Sequence, residues 1–387
     1  MRASGDAGDG PRTRTASDGS RPRWTSVLPP GPHRTSPFVV GVIDGEGVGR
    51  EVVSAALAVL RAVERESGVQ FDVRDGGDVG APGRTGGGLL DATAAFCADV
   101  FAAGGVLFCG AAGGRWVYDL RARFDLFCKL VPLRPWPELA DASVLRADLL
   151  DGVDIVLVRE NVGGLYFGEY GRRDGGRIAY QTLTYSADQV ARIIGVAADL
   201  ARLRRGHVTV VVKRGGIPAV SALWIEQAEA VAATRDVVID VLDVDNAGFQ
   251  LVTRPRTFDV VVASNLFGDV LADSATVVLG SRGLSYSANF GPEGRAAYQT
   301  GHGAAHDLAG TDTANPIAQI LSLAMMLRES FGLDEPAARI ERAIAAVLAA
   351  QVRTLDIAAH ASTIVGTRAF TEHVVRELTT VARARAS

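Results

Sequence analysis

Asp269 and Asp273 stand one helical turn apart in the stretch NLFGDVLAD, Asn265 to Asp273, among apolar and small neighbours. Like charges at that spacing repel on a helix face unless a cation sits between them. A third carboxylate, Asp245, follows a strand-like run in LDVDNAGF. Three carboxylates with few fixed cations suit a hard divalent ion with oxygen ligands, Mg²⁺ or Mn²⁺; the other reading is a solvated acidic face. Lys213 closes the run VTVVVK just before RGGIP. The carboxyl end of a strand beside a loop is where α/β proteins place working residues, although a surface lysine fits the same position. Arg121 in YDLRARFDLF and Arg159 in VLVREN are candidate anion clamps. A planar guanidinium donates two parallel hydrogen bonds to a carboxylate; a surface ion pair is the alternative for each. GHGAAHDLAG holds His302 and His306 at i and i+4, which invites a zinc reading. Its flanking glycines disfavour a helix and no third soft ligand is near. A Gly-rich loop with Asp307 at its end better suits a nucleotide, with backbone N–H groups near phosphates and a carboxylate on ribose hydroxyls. GEGVGRE, Gly45 to Glu51, is spaced G-x-G-x-G, not G-x-G-x-x-G, and reads as a tight turn.

The elements that must position these residues alternate. FVVGVI, GGVLFCGA, VDIVLVRE, HVTVVVK, VVIDVLDV and FDVVVAS read as strands. REVVSAALAVLRAVERES, SADQVARIIGVAADLARLRRG, AVSALWIEQAEAVAATR, FGDVLADSATVVLG, NPIAQILSLAMMLRESFG and PAARIERAIAAVLAAQ read as helices. Ser186 is an expected N-cap and Gly206 the expected stop of the second helix. RDGGDVG and GRTGGGLL read as loops. Strands alternating with helices predict an α/β protein with a largely parallel sheet. With 387 residues the chain has room for two domains, and its 48% apolar and 22% charged residues are those of a globular protein. A net charge of −4 provides no basic field for nucleic acid, and no apolar run is long enough to span a membrane. Cys97, Cys109 and Cys128 are odd in number without paired spacing, which predicts reduced thiols and a cytoplasmic protein. Residues 1–36, MRASGDAGDGPRTRTASDGSRPRWTSVLPPGPHRTS, lack apolar periodicity and are expected to be a disordered extension.

From about Phe38 to the C-terminus the chain resembles the β-decarboxylating dehydrogenases, the family of isopropylmalate, isocitrate, homoisocitrate and tartrate dehydrogenases. The resemblance rests on VRENVGGLYFGE, NLFGDVLADSA, GHGAAHDLAGTDTANPIAQILSLAMML and the weaker GEGVGREV, in family order. GGLYFGE looks closest to the isopropylmalate branch. The implied fold is the isopropylmalate/isocitrate dehydrogenase-like two-domain α/β fold with no standard Rossmann motif. The implied metal ligands are Asp269 and Asp273, with Asp245 from a partner subunit. Lys213, also from the partner, matches the catalytic lysine, and Tyr166 the catalytic tyrosine. Arg121 and Arg159 match substrate-carboxylate arginines, and Val117 and Tyr118 lie in the side-chain-selecting loop. His302, Gly303, Asp307, Leu308 and Asn315 match the NAD-binding segment. Asp307-Leu308 resembles the NAD-using members, since NADP users tend to carry Lys-Tyr there. The resemblance thus implies a homodimer with shared sites that uses NAD and Mg²⁺ or Mn²⁺. It would oxidise, with decarboxylation, a 3-substituted malate-type 2-hydroxy acid. Lys213 would take the hydroxyl proton and Tyr166 would protonate the enolate.

The departures cluster around the substrate. CKLVP stands where the family has a motif like ANLRP, so Val131 replaces an arginine; Lys129 and Arg134 are the nearby cations. The loop between GAAGG and LRARF is short and offers Trp116, Val117 and Tyr118. Gly215, Val212, Gln299 and His306 stand where the family has asparagine, a polar residue, glutamate and proline. One reading is an active enzyme on an unusual hydroxy acid in a specialised biosynthetic pathway. Another is a weak or inactive homologue serving as a regulatory subunit of a related dehydrogenase. A third, a nucleotide-binding interaction protein, leaves Tyr166 and Lys213 unexplained. The expected domains are 37–125 plus 281–387, binding NAD, and 126–280, which dimerises and carries the catalytic residues, with an arm over 166–185. Helices Ala222–Arg235 and Phe267–Leu279 are the expected dimer contact.

Overall fold

A computed structural model of the chain describes residues 22–78, 87–111, 113–359 and 362–386. Residues 1–21 of the expected extension and residues 79–86, in the two expected glycine-rich loops, lie outside the described residues. The strands are β1 Phe38–Ile43, β2 Phe71–Asp75, β3 Val106–Cys109, β4 Cys128–Leu133, β5 Ile155–Glu160, β6 Tyr170–Arg173, β7 Ile178–Gln181, β8 His207–Val212, β9 Val238–Asp243, β10 Val260–Ala263, β11 Tyr286–Phe290 and β12 Ala296–Thr300. Ten of them form one sheet in the order β2-β1-β3-β12-β11-β4-β5-β10-β8-β9. Its two ends are parallel, while β12–β11, β11–β4 and β4–β5 pair antiparallel at the centre. The expected largely parallel α/β sheet is therefore present. β5 and β10 are buried along their whole length, as continuous apolar runs in a sheet covered on both faces must be. The antiparallel centre was not foreseen: CKLVPL, YSANF and AAYQT lack that apolar continuity.

The helices follow their patterns closely. Ala187–Arg202 begins with a full capping box, Ser186 accepting from the Gln189 N–H and Gln189 accepting in return. It ends at Leu203, short of the expected stop; Gly206, at φ +76°, closes the following turn. The predicted helix over Phe267–Leu279 is instead Asn265–Ala275 followed by a 3₁₀ turn. Ile317–Glu329 is buried almost all round. The segment expected as a loop before LRARF is a helix, Trp116–Arg123.

Residues 22–36 are not the free coil that their composition predicts. Trp24–Val27 forms a 3₁₀ turn, and the Thr25 N–H donates to Glu329 Oε2 at 3.0 Å. Arg34 donates to the carbonyls of Gly104 and Gly294, each at 2.7 Å. Hydrogen bonds to distant backbone hold this segment, and composition carries no trace of them. YGRRDGGRIAYQ folds as the hairpin β6–β7, which belongs to a separate two-stranded sheet and leaves Tyr170 70% exposed.

Candidate active site

Arg159 sits near the carboxyl end of β5, only 2% exposed. Its Nε and Nη2 both donate to Asn265 Oδ1, at 3.0 and 2.6 Å, and its Nη1 pairs with Asp269. Asn265 is fixed in turn: its Nδ2 donates to the Gly163 carbonyl at 3.0 Å and its N–H to Tyr185 Oη at 2.9 Å. Tyr166 Oη donates to the other Asp269 oxygen at 2.9 Å. Burial would raise the Asp269 carboxyl, but the Arg159 and Lys129 charges and the Tyr166 hydrogen bond outweigh it and hold it below its ordinary value. Burial and the Asp269 charge push the Tyr166 phenol upward, so it keeps its proton.

Beside this cluster lies a set of buried cations. Arg121 is 5% exposed, and its Nε is buried without a hydrogen-bond partner. Burial first, then Arg159, lowers its pKa to about 10. Its guanidinium carbon lies 5.3 Å from the Tyr118 ring centre, and the Tyr118 ring meets that of Tyr166 edge-on at 5.2 Å. Lys129 lies on β4 directly across from Arg159, 6% exposed, and its ammonium makes no hydrogen bond to the described residues. Burial and the Arg121 and Arg159 charges lower its pKa to about 7. A buried guanidinium and a buried ammonium without acceptors among the described residues suit an incoming carboxylate. Val131 is also on β4 and 1% exposed, and Arg134, just past the strand, is exposed. Val117 differs from expectation. It is 5% exposed and packed with Ile43, Leu107 and Leu120, because the helix turns that face inward; Tyr118 alone of the pair meets the cluster.

Lys213 and Asp245 form a separate pair at the carboxyl ends of β8 and β9, Nζ to Oδ1 2.7 Å. The hydrogen bond raises the lysine and lowers the aspartate. Among the described residues no three acidic, histidine or cysteine side chains gather as a metal site. Asp245 is thus not brought to Asp269 and Asp273 within one chain. The question posed by the two helix aspartates has a structural answer. Each has its own arginine: Asp269 pairs with Arg159 of β5, and Asp273 with Arg282, on the 3₁₀ turn nine residues further along, at 2.5 Å. Burial and Asp269 raise the Asp273 carboxyl despite Arg282. Asp273 is 46% exposed and Asp245 69% exposed, so both carboxylates are accessible. As hard oxygen donors the three fit Mg²⁺ or Mn²⁺, and Asp245 and Asp273 are each paired with a partly exposed cation that a divalent ion could replace.

A cavity of about 420 Å³ opens beside Asp273's partner arginine, lined by His302, Gly303, Leu308 and Asn315 together with Arg282 and Asp356. Its size and its largely apolar wall, with a few polar groups, suit part of a dinucleotide. Asp307 is exposed and lies outside that lining. Burial lowers the His302 imidazole, whose Nδ1 lies 2.9 Å from the Gly303 carbonyl. His306 points elsewhere, 3.9 Å from Glu46. Val48, in the Gly45–Glu51 stretch, lines the cavity. Gly47 has φ +54°, and a Cβ there would fall 1.9 Å from the Ala304 carbonyl. Glu46, 4% exposed, accepts from Trp116 Nε1 at 2.8 Å and the Gly114 N–H at 3.0 Å, tying this turn to the helix that carries Tyr118 and Arg121. The sequence reading missed Glu46, Asn265, Arg282 and Asp356. Only Asn265 had a signal, at the head of the NLFGDVLAD helix.

Comparison with known proteins identifies the family of the chain. The chain is 40% identical over 360 residues to a 3-isopropylmalate dehydrogenase of Gloeobacter violaceus, covering 87% of this chain and 97% of that one. It is 41% identical over 339 residues to one of Pseudoalteromonas translucida, covering 83% and 93%. The solved isocitrate dehydrogenase of Methylococcus capsulatus superposes with a TM-score of 0.78 at 32% identity, covering 88% of this chain and 99% of that one. The profile described as isocitrate/isopropylmalate dehydrogenase matches residues 39–374, and the chain belongs to that family.

Proposed function

We propose that this chain is an NAD-dependent, divalent-metal-dependent dehydrogenase that oxidises and decarboxylates a 3-substituted malate-type 2-hydroxy acid. Its membership of a dehydrogenase family gives the general chemistry, oxidation at a CH–OH group. The observation that carries the finer reading is the Tyr166–Asp269–Arg159 arrangement beside Arg121 and Lys129. A phenol that keeps its proton faces a carboxylate-binding wall, which is what the last step of a β-decarboxylation requires.

The active unit is a homodimer. Lys213 and Asp245 of one chain meet Asp269, Asp273 and Tyr166 of the other. Phe249, 65% exposed, and Val270, 54% exposed, lie on the packed helices Val244–Thr253 and Asn265–Ala275, an apolar face suited to a partner. The two-domain division, 37–125 plus 281–387 and 126–280, belongs to the same proposal, as does the partner-reaching role of the β6–β7 hairpin. Three buried free cysteines, and no described helix long and apolar enough to cross a membrane, fit a cytoplasmic site.

When bound, a divalent ion would polarise the substrate's hydroxyl and carboxylate oxygens, and the dinucleotide would accept hydride. The chain's own residues do the rest. Arg121, Lys129 and Arg159 hold the carboxylate that leaves. Lys213 Nζ takes the hydroxyl proton, which requires that Asp245 be drawn away, because that carboxylate keeps the lysine charged. Tyr166 Oη returns a proton to the enolate carbon, its direction set by Asp269. The test is NADH absorbance with NAD⁺, Mn²⁺ and a panel of 3-substituted malates. Turnover of at least one substrate is expected; failure of all, or a strong preference for NADP⁺, overturns the reading.

A further inference from the structure

We propose that Arg282 couples divalent-ion binding to dinucleotide binding, neutralising Asp273 in the free protein and turning to the dinucleotide's phosphates once a cation takes that carboxylate. The inference rests on the cofactor and metal reading above and concerns a residue that the reading does not use.

The two arginines that neutralise the helix aspartates differ in freedom. Arg159 is 2% exposed and bound to both Asn265 and Asp269, so it has nowhere to go. Arg282 stands on the 3₁₀ turn Arg282–Leu284 with its side chain 60% exposed. The guanidinium's one hydrogen bond to the described residues is to Asp273 Oδ2. A divalent ion at Asp273 competes for that oxygen and releases the guanidinium.

The released group faces the 420 Å³ cavity it already lines. Asp356 is the one carboxylate among the described residues lining the cavity, and it is engaged. Its Oδ2 accepts from Ser281 Oγ and Asn315 Nδ2, and its Oδ1 accepts from Thr354 Oγ1. Burial favours the neutral form of His302. Arg282 is therefore the one permanent cation among the described residues lining this cavity. A dianionic diphosphate entering there meets a guanidinium that forms bidentate contacts with phosphate oxygens. Each ligand thus removes the other's obstacle: the ion frees the arginine for the phosphates, and the phosphates draw the arginine off Asp273. Linkage makes the effect reciprocal.

The pair is half-exposed, so its strength limits the coupling to about two- to fivefold. The test titrates NADH by fluorescence into full-length protein without and with saturating Mn²⁺, and titrates Mn²⁺ by electron paramagnetic resonance without and with NADH. Wild type should tighten by that factor in both directions. Arg282→Leu should bind Mn²⁺ more tightly in the absence of NADH, bind NADH more weakly, and show a coupling factor near one. Arg282→Lys, which keeps the charge, should retain part of the coupling. Undiminished coupling in Arg282→Leu, or unchanged Mn²⁺ affinity, overturns the inference while leaving the cofactor reading intact. Absence of NADH binding by wild type overturns both.

Discussion

Lys129→Met separates two opposed effects of one side chain. The Lys129 ammonium lies buried across from Arg159 and near Arg121, and its pKa falls from 10.5 to about 7. Keeping it charged inside the fold therefore costs about 5 kcal/mol more than in water. The sign follows from proton binding. Between pH 7 and 10.5 the unfolded chain holds a proton that the folded chain has released, so wild-type stability rises with pH across that window. Below pH 7 the full cost of the buried charge is present. Methionine has similar length and no charge to bury. Lys129→Met should thus stabilise the free protein by up to about 5 kcal/mol at pH 6 and about 2 kcal/mol at pH 9, with no gain above the unfolded pKa. On the substrate side the change is unfavourable. Loss of a charged hydrogen bond worth about 1.5–3 kcal/mol should raise KM roughly 10- to 100-fold. Urea unfolding at the two pH values and steady-state kinetics read both effects, and Lys129→Arg should recover part of the KM. A variant equally stable relative to wild type at pH 6 and 9, or one with unchanged KM, refutes the placement of this lysine in the carboxylate wall.

Tyr166→Phe removes the hydroxyl that donates to Asp269. It should lower kcat about 10²- to 10⁴-fold while the unfolding midpoint stays near wild type, as denaturation and kinetics together would report. Asn265→Ala leaves two Arg159 N–H groups and the Gly163 carbonyl unpaired in a buried site. A loss of about 3–5 kcal/mol in urea unfolding is expected. Ser186→Ala breaks the capping box on an exposed helix end and should cost about 1 kcal/mol with kinetics unchanged.

Periodicity and capping were legible wherever one face of an element decided its structure. The apolar runs of β5 and β10 and the Ser186 cap belong to that group. The antiparallel centre was not legible, because β4 carries the buried Lys129 and a proline, Pro132, within the strand. A lysine in a buried strand contradicts local pattern, and here that contradiction marks the site. Asp269, Asp273, Arg121 and Arg159 stood out by residue type and spacing, and Tyr166 only through the family resemblance. Arg282 was not, since its contact with Asp273 depends on a 3₁₀ turn that no periodicity announces. Glu46 was hidden because its partner, the Trp116 indole, lies 70 residues further along the chain.

The proposed shared site takes Asp273 from one chain and Lys213 from another. Lys213→Ala and Asp273→Asn should each be inactive as homodimers. When the two are co-expressed and the heterodimer is isolated, one of its two sites has both native residues, so activity should return to about half of wild type per dimer, as a two-fold symmetric shared site requires. A heterodimer as inactive as its parents, or a wild-type chain that turns over substrate as a monomer, would rule out a site shared between two chains.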